Sequence, residues 1–110
     1  MGATLRKVAP MEDLCAAIGS MHLVRFCYDD AAPGYRIVEP HMVACNQRNN
    51  LSLSAWFLYG ESASDEGPGW REYLLEKISN ISILDEQFTQ PRPGYKPDGG
   101  KTFHSVQCAV

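Results

Sequence analysis

The sequence has four cysteines, Cys15, Cys27, Cys45 and Cys108, but no C-x-x-C pair. That absence removes the usual signature of a zinc ribbon or a thioredoxin-like redox motif. No apolar stretch approaches membrane-spanning length, and Met1 to Pro10 lacks the apolar core of a signal peptide. A cytoplasmic protein with reduced thiols and no membrane partner is expected. An excess of positive charge is also lacking. Ten Lys and Arg face thirteen Asp and Glu, for a net charge of −3, which excludes a broad basic face for coating duplex DNA but not a local basic pocket. There is no phosphate-cradling glycine motif, since Gly67-Pro68-Gly69 is a loop tip. There is no internal repeat and no low-complexity segment. Asp29-Asp30 and Asp85-Glu86 lie in turn-like contexts, and no nucleophile has a base beside it, so catalysis is not expected. His22, His41 and His104 lack ligand spacing. His41 and Cys45 share a strand face but would lie about 13 Å apart, too far for one ion. No metal and no cofactor are expected.

What is present fits a single domain. The 110 residues are 45% hydrophobic and 21% charged, enough for a real core without staples. Residues 1–9 read as a flexible tail. Pro10 suits a first helical turn, and Glu12 and Asp13 suit the positive end of the helix dipole. Met11, Leu14, Cys15 and Ile18 form an apolar stripe, and Gly19 reads as the stop. From His22 the period changes to two. Strands are expected at about 22–28, 35–45, 51–59, 70–78 and 81–84, with turns at Asp29–Gly34, Asn46–Asn50 and Gly60–Gly69. Pro40 implies an edge, a bulge or a sharp bend. Residues 10–88 form the domain, and residues 89–110 form a Pro/Gly-rich extension whose end can make a final strand anchored by Phe103 and Val106. The expected class is mainly β (α+β), a small antiparallel barrel of about five strands with one N-terminal helix. Phe26, Leu58, Leu75, Ile78 and Ile81 are expected in the core, with one of Phe57 and Trp56.

The order of "LCAAI", "VRFCY", "YRIVEPHMV", "WFLYG" and "REYLLEKISNISIL" resembles a WYL domain, a family with an SH3-like or Sm-like barrel. The resemblance covers roughly Leu14 to Phe88. Family pocket and signature positions fall on Tyr28, Arg36, Pro40, Trp56, Phe57, Leu58, Arg71, Tyr73, Leu74 and Lys77, the signature strand being Trp56, Phe57 and Leu58. The resemblance implies a bacterial or phage regulatory domain that senses a ligand or binds nucleic acid, in transcription regulation or phage defence. Its partner would be a nucleotide or single-stranded nucleic acid. With no room for a helix-turn-helix before Met11, a separate DNA-binding protein is expected to touch the DNA.

This chain departs from the family pattern. Phe57 stands where the name motif has tyrosine, Leu74 replaces a usual arginine, and Lys77 replaces a second one, keeping the charge but losing the two-point grip on phosphate. The expected ligand-binding residues are Arg36, Tyr59, Arg71 and Lys77, with Tyr59 as a stacking surface. Against that stands ordinary surface charge paired with Glu39, Glu72 or Glu76, and a core role for Phe57. The alternative function is a protein-interaction or homo-oligomerisation module with a degenerate pocket.

Overall fold

The structure, a computed structural model, describes residues 9–62 and 67–110. The expected N-terminal tail therefore lies outside the described residues, as does the middle of the 60–69 loop. Helix α1 spans Ala9–Ser20, with Glu12 in its first turn. Leu14, Ala17 and Ile18 form its buried face. The left-handed residue that ends it is Met21 (φ 56) rather than Gly19. The Ser20 hydroxyl donates to the Ala16 carbonyl at 3.0 Å, closing the last turn.

Six strands follow: β1 (His22–Tyr28), β2 (Gly34–Cys45), β3 (Leu51–Gly60), β4 (Gly69–Leu74), β5 (Ile78–Gln87) and β6 (His104–Ala109). They form one antiparallel sheet of order β4-β3-β2-β1-β5, with β6 beside β2. β3 takes one edge of β2 along nearly its full length. The other edge is shared, β1 pairing with residues 34–38 and β6 with residues 42–45. The ladder shifts register between Pro40 and Met42, so His41 bulges where the proline was expected to disturb pairing. Turn chemistry is as expected. Asn46 Oδ1 accepts from the Arg48 and Asn50 amides, and Asn49 takes a positive φ.

The class is the expected small mainly β domain with one helix. Two details differ. The run 70–78 is not one strand, because a 3-10 turn at Leu75–Lys77 separates β4 from β5. Among the described residues no ladder joins β4 to β5, so the sheet is not closed into a barrel by hydrogen bonds.

One face of the sheet packs on α1. Val24, Phe26, Val38, Val43, Leu53, Ala55, Phe57, Tyr73, Leu75 and Ile78 join the helix stripe there. Phe57 is core, as strand alternation implies. Leu58 and Ile81 are half-buried rather than buried, and Val106 is exposed; Leu58 follows the buried Phe57 on β3 and so points to the other face. Cys15 and Cys108 form a disulfide across 93 residues. This corrects the expectation of four reduced thiols; Cys27 and Cys45 are free. No local spacing encodes the pair. β6 meets α1 only after the extension has crossed the sheet.

Candidate ligand-binding site

The four expected site residues lie on β2 (Arg36), β3 (Tyr59), β4 (Arg71) and the 3-10 turn (Lys77). Arg36 is buried, 2% exposed. Its Nε donates to the Glu61 carbonyl (2.8 Å), Nη1 to the Tyr28 carbonyl (3.2 Å), and Nη2 to the Ala32 carbonyl and Asp30 Oδ1 (both 2.9 Å). The guanidinium also lies over the Tyr28 ring, 5.2 Å from its centre. Arg36 thus holds the β1–β2 turn against the end of β3. Gly60 makes this clasp possible. It adopts φ 122, and a side chain there would overlap the Tyr35 carbonyl. Burial pushes the Asp30 carboxyl up, but hydrogen bonds from Arg36 and the Ala32 amide, with the charges of Arg36 and Lys77, bring it below its ordinary value. Lys77 is otherwise exposed in the 3-10 turn, which breaks the strand parity expected to align it with Tyr73. Tyr59 pairs with Ile37 near the end of β3 and is 54% exposed. Arg71 donates to the Trp70 and Gly67 carbonyls (2.9 and 2.8 Å) and sits 5.3 Å from the centre of the Phe57 ring. The partner of Arg36 is Asp30, and that of Glu39 is Arg92, so the pairing of Arg36 with Glu39 is not formed.

The opposite face of the sheet holds what the sequence reading missed. Cross-strand register lines up Glu39, Trp56 and Trp70 in one row, and Met42, Ser54 and Glu72 in the next. The extension crosses these rows. Arg92 grips Glu39 through two bonds (2.7 and 2.9 Å) and lies over the Trp56 ring at 5.0 Å. Trp70 Nε1 donates to the Pro93 carbonyl at 2.8 Å. Between the second row and the extension lies a cavity of about 430 Å³, walled by Trp70, Glu72, Tyr95, Lys96 and Phe103 among others. Of the four expected residues, Arg71 borders it. The clue available in sequence was Tyr95 and Lys96, an aromatic and a cation set between Pro93-Gly94 and Pro97.

His41, 0% exposed, fastens this layer. Its Nε2 accepts from the Arg92 backbone N–H (3.1 Å), so that nitrogen is unprotonated and Nδ1–H donates to the Glu39 carbonyl (2.8 Å). Trp70, Phe88 and Tyr95 surround the ring at 4.7, 5.1 and 5.3 Å. Burial lowers its pKa, opposed by the Glu39 carbonyl bond and charge. A group with a depressed histidine pKa takes up fewer protons folded than unfolded, so its contribution is complete above about 6.5, the ordinary histidine value, and falls as pH drops below it. Urea unfolding at pH 7.5 and pH 5 will show the parent losing stability at the lower pH, and His41→Phe will lose less. Parallel losses in both proteins would show that His41 does not carry the effect.

Among the described residues, no helix is long and apolar enough to cross a membrane. No protein-family model matches the chain, and no curated protein matches it. Among solved structures it is similar to proteasome accessory factor B/C of Arthrobacter aurescens, with 21% sequence identity and a TM-score of 0.62. The match covers 79% of this chain and 13% of that one, so this chain corresponds to a small part of that protein's length. The likeness is one of fold.

Proposed function

We propose that the chain is a WYL-like regulatory domain that binds a nucleotide or a single-stranded nucleic acid and acts on transcription or phage defence through a separate DNA-binding protein. The observation that carries this reading is the fold likeness to an accessory factor, joined to the order of sequence motifs from Leu14 to Phe88. A binding role rather than catalysis suits a chain whose buried histidine, His41, has both ring nitrogens committed to backbone groups. The proposed location is the cytoplasm, where the glutathione and thioredoxin pools would act on the Cys15–Cys108 bond. The proposed contacts are Arg71 and Lys77 for phosphate and Tyr59 for a stacked base. Arg36 supports the site through the turn it clasps.

The test is binding of short DNA and RNA strands and of mononucleotides at two salt concentrations, since true phosphate contacts weaken as salt rises. The parent is expected to bind at about micromolar affinity or weaker, and Arg71→Ala with Lys77→Ala is expected to weaken binding about 10-fold with a smaller salt slope. Binding that is indifferent to both substitutions would place the phosphate site elsewhere.

A second reading, an interaction or homo-oligomerisation module, is favoured by the outer edge of β5, which pairs with no strand among the described residues. Its outer positions are mostly exposed, with Ile83 at 44%, and such an edge is a template for another strand. A concentration-dependent dimer in light scattering, abolished by Ile83→Lys, would support that reading.

A further inference from the structure

We propose that the cavity between the sheet and the C-terminal extension is a mononucleotide site that selects bases bearing an exocyclic amine. This rests on the nucleotide-binding reading above and extends its site from Arg71 into the cavity that Arg71 borders. The cavity's volume of about 430 Å³ lies in the range of small-molecule sites. It suits one nucleotide held under a roof rather than a strand running along an open groove.

Three kinds of group meet there. Trp70, Tyr95 and Phe103 supply aromatic walls, and any base can stack on such a surface. Trp70 and Tyr95 are near-parallel, with 19° between their planes, and Trp70 is pinned by its bond to Pro93. The stacking surface is therefore preformed. Lys96 supplies a cation on the roof, and Glu72 a carboxylate on the floor. Neither side chain has a hydrogen-bond or ion-pair partner among the described residues.

The two charges decide the ligand class. A carboxylate only accepts hydrogen bonds, so it favours a base edge that donates. The amine of cytosine or adenine does so; the corresponding carbonyl of uracil turns a lone pair toward Glu72 instead. Lys96 takes the phosphate as a point charge. Ser54 pairs with Glu72 across the strands and also lines the cavity, adding a hydroxyl that can donate or accept beside the carboxylate.

CMP and UMP differ at this amine and test the idea directly, with AMP as a second amine-bearing base. Calorimetric titration of the full chain is expected to show CMP and AMP binding at least 5-fold more tightly than UMP. Glu72→Gln should bring the CMP-to-UMP ratio close to one. Lys96→Ala should weaken all three at least 5-fold and reduce the salt dependence. Glu86→Ala, at an exposed position on β5, should leave these affinities at the parental value. Each variant is first matched to the parent by thermal melt. Equal binding of CMP and UMP by the parent overturns the proposal. So does parental affinity in both the Glu72 and Lys96 variants. If short strands bind and respond to Tyr59 and Lys77 but not to Glu72 and Lys96, the cavity proposal fails while the regulatory reading stands. If neither nucleotides nor strands bind, both fail.

Discussion

Replacing Arg36 by methionine will lower the free energy of unfolding by about 3 kcal/mol, mostly because carbonyls around it lose their donor, Asp30 itself being 26% exposed. The guanidinium makes four hydrogen bonds. Methionine retains much of the apolar stem but leaves the carbonyls of Tyr28, Ala32 and Glu61 without that donor, each loss costing about 1–3 kcal/mol where water cannot replace it. Asp30 keeps the Ala32 amide at 2.9 Å but loses its charge partner. Domains of this size are stable by about 5–15 kcal/mol in total, so the variant will be marginal. Lys77→Ala, at an exposed position, will change stability by about 0.5 kcal/mol or less. Urea unfolding of both variants is the measurement. An Arg36→Met protein as stable as the parent would refute the clasp and return Arg36 to the list of direct ligand contacts. The Asp30 carboxyl sits below its ordinary value, so its share of stability is present near neutral pH and lost as pH falls below about 3.9, the unfolded aspartate value.

Breaking the Cys15–Cys108 bond will cost about 4 kcal/mol. The bond joins residues separated by 93 positions, and closing a loop of that length removes roughly 4–5 kcal/mol of chain entropy from the unfolded state, with typical measured values of 2–5. The loss should be felt at the extension. β6 is laddered only to the last residues of β2. The terminal Val110 amide donates to the His41 carbonyl (3.0 Å), and the Tyr95 hydroxyl to the Val110 carbonyl (3.0 Å). Dithiothreitol is expected to lower the melting temperature of the parent and leave a Cys15→Ala, Cys108→Ala protein unchanged. Amide exchange at Val110 should speed up in the reduced parent. Identical melts with and without reductant would mean that the cross-link does not contribute.

Much of the local structure was legible in the sequence because it depends on neighbours a few residues apart. The change of period after Gly19 marks where helix gives way to sheet. Alternation along Leu53, Ala55 and Phe57 puts Phe57 in the core, where it is 5% exposed. The turn at Asn46–Asn50 follows from asparagine chemistry. Even the disturbance at Pro40 was readable, as a missing donor in the ladder.

The candidate site was legible only in part. Arg36 was recognisable as a special arginine, but a buried guanidinium bound to three carbonyls and one bound to phosphate look alike in a sequence. What separates them is the position of Glu61, 25 residues away. Lys77 was aligned with Tyr73 by counting along a strand that a single 3-10 turn interrupts.

By itself, the sequence determined the helix, the first three strands with the turns between them, and the inward face of Leu53, Ala55 and Phe57, since each follows from periodicity and backbone preference over short spans. Only the tertiary structure decided the partners of Arg36 and Glu39, the Cys15–Cys108 bond, and the cavity beneath Tyr95 and Lys96. Those features join segments up to 93 positions apart. Their energy comes from burial, charge pairing and loop closure across the fold, which leave no periodic trace along the chain.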